Sequence, residues 1–346
     1  MQFAVSIQPG GQQFFAAPDE TILDTALRQG VFLPHGCRDG VCGACRGKVL
    51  AGTVEHGAVR EQALSAADRA AGSVLLCRAY ARSDLVVAVR TASTSRDIPP
   101  RTLPARVHRL QRAAPDIMIV ELKLPASERL DFFAGQYIDI LLADGRRRSY
   151  SLANAPADGT LLQLHIRHVD GGVFTERVFS RLAERDILRI NGPHGSFYLR
   201  EDSDKPLLLI AGGAGFAPIK SIVEQAIARG LSRPIALYWG GRRRADLYLG
   251  DLPEHWAAKH AHIRYVLVLS EACAADHWTG RLGLVHRAAL ADLPDLSAYQ
   301  AYVCGSPAMV DAARRDLIEQ GHLPEHEFFA DAFTPAHAGA SAPPTL

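Results

Sequence analysis

HGCRDGVCGACRG, residues 35–47, places Cys37, Cys42 and Cys45 at a C-x4-C-x2-C spacing with glycines packed between them. The chain has only six cysteines, so half of its thiols sit in one short loop. Thiols gathered this closely are read first as metal ligands or redox groups. Three ligands leave one position open, which the rest of the chain has to supply. Gly40, Gly43 and Ala44 suit a loop that wraps a metal group, because larger side chains would obstruct the approach of backbone N–H groups to the sulfurs.

The chain has 346 residues, 48% hydrophobic and 22% charged, the balance of a globular protein with material for two or three domains. A net charge of +1 leaves no basic excess to neutralise phosphates, which argues against a nucleic-acid partner. The start, MQFAVSIQPGGQQFF, has no basic leader and no long apolar run, so no secretory signal is expected. The longest uncharged apolar stretch, 206–219, is too short and too rich in glycine to span a bilayer. A cytoplasmic location is expected, where disulfides are rare.

Composition separates three segments. The first, 1–92, opens on an alternating strand through Phe3, Val5 and Ile7. A helix over 21–28 follows, capped by Asp19 and stopped at Gly30, and strands GKVLAG and DLVVAV complete the layer. TASTSRDIPPRTLP, rich in Ser, Thr and Pro, reads as a linker, assigned to 93–104. The second segment, 105–202, alternates β-type runs (IMIVELKL, QYIDILL, LLQLHIRHV) with Gly, Pro and Asp turns, the pattern of a small antiparallel barrel or sandwich. The third, 203–333, alternates apolar strands with helical patterns, which predicts a parallel α/β sheet with crossover helices. The tail, 334–346, is small and Pro-rich and is expected to be flexible.

CRDGVCGAC followed by LLC resembles the plant-type [2Fe–2S] ferredoxins, in which a distant cysteine completes the C-x4-C-x2-C loop. The resemblance implies a β-grasp domain with Cys37, Cys42, Cys45 and Cys77 as cluster ligands. A zinc site is the competing chemistry, but zinc prefers ligands in C-x2-C pairs and a second pair is absent. His35, beside the loop, reads as a surface residue. Cys273, in SEACAAD, reads as a loop thiol without a role.

A cluster moves single electrons, and two further elements resemble the ferredoxin–NADP reductase superfamily. RRSYSLAN contains the R-x-Y-S signature as Arg148, Ser149, Tyr150 and Ser151. The resemblance implies a guanidinium fork on a flavin pyrophosphate, a tyrosine stacked on the isoalloxazine and a serine hydroxyl near N5. HIRHVDGGVFTERVF matches the second flavin element, where Gly172, Val173 and Thr175 offer N–H groups and a hydroxyl at a helix start. Arg167 falls at a position that is often basic in relatives. The ferredoxin-first arrangement implies FAD rather than FMN.

The third segment opens with LLLIAGGAGFAPIKSI. Gly212, Gly213, Ala214 and Gly215 lie between a buried strand and a helix begun by Pro218, where dinucleotide phosphates approach the backbone. The superfamily pattern is G-G-T-G-x-A-P, and Ala214 lacks the threonine hydroxyl. YVCGSPAMV resembles the C-G-x-P element, which implies Cys304 beside the nicotinamide with Gly305 and Pro307 at its side. Arg242, Arg243 and Arg244 follow the second strand, where arginine can read a 2′-phosphate. Ser270 and Glu271 follow the third, where NADPH-using relatives carry Ser-Arg. A carboxylate facing a 2′-phosphate repels it, so NADH is expected.

The chain is identified as a member of the ferredoxin-first, FAD-containing NADH reductases. Membership implies electrons passing from NADH through FAD and a [2Fe–2S] cluster to a separate acceptor protein, with Tyr150, Ser151 and Cys304 at the reacting centres. AGGAGFAPIKSI, LYWGGRRRADLYL and FFADAFTPA are most similar to the CDP-6-deoxy-3,4-glucoseen reductases, which implies an iron–sulfur dehydrase as acceptor. The reductase components of oxygenases share the architecture and form the alternative. A carrier or sensor without turnover is an alternative of another class, against which the intact nucleotide motifs speak. In some relatives a C-terminal aromatic covers the flavin, a place that Phe329 or Phe333 would take here.

Overall fold

The computed structural model describes residues 2–89, 98–157 and 159–334. It divides into two compact units. One comprises Met1–Pro99 with two short returning segments, Gly195–Phe197 and Ala330–Thr334; the other includes Pro100–His194 and Tyr198–Phe329. Among the described residues no helix is long and apolar enough to cross a membrane.

In the first unit the strands β1 (Phe3–Gln8) and β2 (Gln13–Ala16) precede helix α1 (Ile22–Arg28). Then come β3 (Arg46–Ala51), β4 (Val54–His56), α2 (Ala66–Ala70), β5 (Ser73–Leu75), β6 (Ala79–Ala81) and β7 (Leu85–Val89). The main sheet runs β2-β1-β7-β3-β5, with β1 antiparallel to β2 and parallel to β7. This is the β-grasp arrangement. Period-two alternation turns Val5, Ile7, Val87 and Val89 inward, onto Ile22, Leu23 and Ala26 of the helix. The helix begins one step later than the Asp19 cap implies. Thr21 is extended and its hydroxyl accepts the Asp24 N–H, so the threonine satisfies the first open donor itself. Gly30 turns the chain away at φ +77.

The second unit opens with β8 (Arg101–Ala114), β9 (Ile117–Lys123), β10 (Tyr137–Leu141), β11 (Arg147–Ser151) and β12 (Leu161–Arg167). Helix α3 (Val173–Ser180) and β13 (Ile187–His194) follow. The antiparallel order is β11-β10-β13-β8-β9-β12, and a bridge between Leu152 and Leu164 joins the two edges, so the sheet closes into a barrel. β8 begins inside the stretch expected as linker, because Leu103, Ala105 and Val107 already alternate into the core. Residues 93–97 of that linker and 335–346 of the tail lie outside the described residues.

The rest of the unit winds β14 (Leu207–Gly212), α4 (Phe216–Ala228), β15 (Ile235–Gly241), α5 (Asp251–Lys259), β16 (Ile263–Leu269) and β17 (Arg281–Leu282). It ends with α6 (Val285–Asp292), β18 (Gln300–Gly305), α7 (Pro307–Glu319) and β19 (Phe328–Ala332). The order is β17-β16-β15-β14-β18-β19, and β14 pairs in parallel with both β15 and β18. The winding therefore reverses at β14. The crevice beyond the carboxyl ends of β14 and β18 is where such sheets take ligands.

Candidate cofactor sites

Cys42, Cys45 and Cys77 are buried and Cys37 is partly so. The Sγ atoms of Cys45 and Cys77 are 3.2 Å apart. The Cys37 N–H donates to Cys42 Sγ and the Cys42 and Asp39 N–H groups donate to Cys37 Sγ, all at 3.4 Å. Val41, Ala44 and Gly40 add backbone donors to Cys37, Cys42 and Cys77 respectively. The Cys37 thiol is pulled down to about 6, first by its hydrogen bond with Cys42. Cys42 and Cys77 are pushed up by their partner thiols and by burial. Four thiols ringed by inward N–H groups are the surroundings a negatively charged iron–sulfur group needs. Gly40 and Gly43 make the wrap possible at φ +72 and +73, and a Cβ on Gly40 would approach Arg78 Cγ to 2.9 Å.

His35 corrects the sequence reading: it is buried, at 6% exposure. Its ring nitrogens meet the Leu33 carbonyl and the Gly195 N–H. The second partner lies far along the chain, beyond the reach of local pattern.

On the barrel, β11 presents Arg148, Ser149, Tyr150 and Ser151, paired so that Tyr150 is opposite Ile138 and Ser151 opposite Tyr137. The Tyr150 ring meets Phe174 of α3 at 5.6 Å, so the two flavin elements touch through this pair. Burial pushes the Tyr150 hydroxyl upward. Ser149 donates to Asp139 at 2.6 Å, and Ser151 is buried. Thr175 Oγ1 accepts from the Val169 N–H and lies 3.0 and 3.1 Å from the Val169 and Gly172 carbonyls, so it braces the turn before α3. A Cβ on Gly172 would collide with that hydroxyl.

Arg167 ends β12 with its guanidinium 3.0 Å from Asp116 and 2.9 Å from Asp246. A Cβ on Gly213 would stand 3.0 Å from its Nη1, so Arg167 lies over the glycine loop. Gly213 adopts φ +51 and its carbonyl accepts from Trp239 Nε1 at 3.0 Å. A Cβ on Gly215 would run into the Cys304 carbonyl, and one on Gly212 or Gly305 into Met309. Only glycine lets these strand ends pack backbone to backbone. Cys304 is fully buried, in register with Ala211. Ala214 is buried too, Pro218 lies in the first turn of α4, and Pro307 opens α7 behind the Ser306 cap.

Ser270 and Glu271 donate their N–H groups to the carbonyls of Gly241 and Arg242, each at 2.9 Å. The carboxylate and the arginine run that the sequence set against each other are thus neighbours. Arg243 is engaged elsewhere, with Asp276 at 2.8 Å and with the Cys273 thiol. The Cys273 N–H, then the Arg244 N–H and the Arg243 guanidinium, hold Asp276 down at about 2.

Sequence reasoning missed three side chains. Lys220 donates to the Ala153 carbonyl at 3.0 Å and pairs with Glu224 at 2.8 Å, while Ser221 donates to the Asn154 carbonyl at 2.7 Å. Helix α4 is thereby fastened to the loop just after Ser151. His165 Nδ1 meets the Tyr248 hydroxyl at 2.8 Å and its Nε2 meets Gln163 at 3.2 Å. Tyr248 sets its edge against Trp239, which stacks on Phe216 at 3.8 Å. His165 has the opposite parity to Leu162, Leu164 and Ile166, which face the barrel core; it is buried by Tyr248 on the outer face of β12, a partner that local alternation does not announce. Phe329 stacks on Tyr302 at 4.9 Å, and Phe333 is partly buried.

The sequence matches three domain families: a 2Fe-2S iron-sulfur cluster binding domain over residues 5–82, an oxidoreductase FAD-binding domain over 104–198 and an oxidoreductase NAD-binding domain over 209–315. It is 40% identical to the CDP-6-deoxy-L-threo-D-glycero-4-hexulose-3-dehydrase reductase of Yersinia pseudotuberculosis, covering 97% of this chain and 100% of that one. It is 35% identical to the terephthalate 1,2-dioxygenase reductase component 2 of a Comamonas species, over 98% and 99% of the two chains. The solved structure of an Amycolatopsis cytochrome P450 reductase superposes with a TM-score of 0.78 at 38% identity, over 96% and 99% of the two chains. With all three domains present in one chain and in this order, the protein belongs to the family of NAD(P)H-dependent flavin and iron–sulfur electron-transfer reductases.

Proposed function

We propose that the chain oxidises NADH and delivers the electrons singly to an iron–sulfur dehydrase that acts on a nucleotide-linked deoxyhexulose. The observation that carries this reading is the 40% identity to the Yersinia dehydrase reductase across the whole of both chains. Cys37, Cys42, Cys45 and Cys77 would hold the cluster. Arg148, Tyr150, Ser151 and the turn of Gly172, Val173 and Thr175 would hold FAD. Gly212, Gly213, Ala214, Gly215, Pro218, Cys304, Gly305 and Pro307 would hold NADH. The position of Arg167 over Gly213 favours the nucleotide side for that residue.

Bound FAD would supply the exchange between hydride chemistry and single-electron transfer. The protein's part is placement. Tyr150, backed by Phe174, offers a flat ring, and Ser151 offers a hydroxyl one residue along the same strand. The close packing of Cys304 on Gly215 fixes the floor of the nucleotide crevice. Glu271 beside Arg242, with Arg243 spent on Asp276, supports NADH over NADPH. A reducing, cytoplasmic setting suits the four unbridged thiols.

A second reading takes an oxygenase as acceptor, supported by the 38% identity to the cytochrome P450 reductase. Reconstitution with each acceptor separates them. Deoxysugar formation with the dehydrase supports the first reading. NADH-coupled oxygen consumption with hydroxylated product, seen with an oxygenase alone, overturns it. A chain that reduces neither acceptor nor cytochrome c would be a carrier without turnover.

A further inference from the structure

His35 stands two residues before Cys37 and is bonded on every polar atom. Its Nδ1 is 2.8 Å from the Leu33 carbonyl. A carbonyl only accepts, so Nδ1 carries the ring proton and Nε2 offers a lone pair. That lone pair receives the Gly195 N–H at 3.2 Å. The backbone repeats the attachment: the His35 N–H donates to Ser196 Oγ at 3.1 Å, and the Ser196 N–H and hydroxyl donate to the His35 carbonyl at 2.8 and 2.9 Å. Four hydrogen bonds thus join one residue of the cysteine loop to Gly195 and Ser196. Gly195 turns at φ +93 and follows directly on His194, the last residue of β13. Beside His35, a Cβ on Gly36 would stand 3.1 Å from Cys42 Sγ and 3.7 Å from Asp331, so the loop has no slack there.

We propose that His35 is a positioning residue for internal electron transfer. Its neutral imidazole clamps the cysteine loop to Gly195 and Ser196, and so holds the loop in the conformation in which a bound cluster accepts electrons. The inference rests on the reading of Cys37, Cys42, Cys45 and Cys77 as ligands and of the barrel as the flavin domain. Its electron balance is that of the reductase. NADH gives up a hydride and becomes NAD+. With FAD and the cluster bound, the two electrons would pass one at a time through the cluster to the acceptor, and the single proton left from each hydride would go to solvent.

The test compares His35→Phe, which keeps the ring volume but has no acceptor, with His35→Gln, whose amide oxygen can still receive the Gly195 N–H. In hydrogen exchange on the full chain, the Gly195 and Ser196 amides should exchange roughly tenfold faster in the phenylalanine variant, and much less so in the glutamine variant. In anaerobic stopped flow, flavin bleaching by NADH should be unchanged in both. Cluster reduction should slow at least about fivefold in the phenylalanine variant and be largely restored by glutamine. Wild-type cluster reduction in His35→Phe, or equal loss in both variants, would overturn the proposal. Should His35→Phe fail to fold, Ser196→Ala removes one arm of the same clamp. It should slow cluster reduction alone, and an unchanged rate would count against the clamp. Iron content of the wild type separates this outcome from failure of the underlying reading, since a chain without a two-iron cluster overturns the ligand assignment itself.

Discussion

Arg167 Nη2 stands 2.9 Å from the Asp246 carboxylate, tying the last residue of β12 to the turn after β15. The other Asp246 oxygen accepts the Arg242 and Arg243 N–H groups at 2.8 and 3.0 Å. One carboxylate therefore orders the arginine run and holds Arg167 over the glycine loop. Asp246→Ala should cost about 1–2 kcal/mol in urea unfolding, because it removes a charge-assisted bond and the acceptor of two backbone N–H groups at a mostly buried carboxylate. The KM for NADH should rise roughly three- to tenfold while flavin content stays at the wild-type level. Loss of flavin with an unchanged KM would return Arg167 to the FAD side.

Stability should fall in mild acid through His165. Burial, with the nearby Lys220 charge adding to it, lowers its pKa from 6.5 to about 3. Between those values the unfolded chain binds a proton that the folded chain refuses. The stabilisation is present above 6.5 and lost as pH falls toward 3, by up to about 1.4 kcal/mol per pH unit. His165→Gln removes this titration, so its melting temperature should drop less than the wild type's between pH 7 and pH 4.5 (roughly the upper half of that window). Parallel curves would show that His165 takes no part.

Nucleotide choice should follow Glu271. If it repels a 2′-phosphate, kcat/KM favours NADH and Glu271→Arg narrows the gap. Two to three kcal/mol of discrimination would appear as roughly 30- to 150-fold in that ratio. A wild type that prefers NADPH would shift attention to Arg242.

The cysteine loop, the R-x-Y-S strand and the glycine turn were legible because each is a local device, in which neighbours in sequence are neighbours in space. The sheet classes were legible through their periodicities. What escaped depends on partners far along the chain. His35 read as a surface residue because nothing near it announces Gly195 and Ser196. The acidic partners of Arg167, Asp116 and Asp246, belong to other elements and could not be read beside it in the sequence. The cap of α1 was placed on Asp19 by residue type, while the backbone turn put Thr21 at the position whose hydroxyl reaches the Asp24 N–H. The pairing of Arg243 with Asp276 likewise joins residues 33 apart in the chain, which the arginine run does not announce.

The central claim, that electrons run from NADH through FAD to a cluster on Cys37, Cys42, Cys45 and Cys77, is tested most directly by anaerobic NADH titration followed by absorbance and electron paramagnetic resonance, on wild type and Cys42→Ala. The wild type should contain one FAD and one two-iron cluster per chain. NADH should bleach the flavin, and the signal of a singly reduced cluster should then appear. Cys42→Ala should lose the cluster and cytochrome c reduction while keeping flavin bleaching and NADH–ferricyanide activity, because the flavin stands upstream. Zinc in place of iron in the wild type, or full cluster content in Cys42→Ala, would contradict the account.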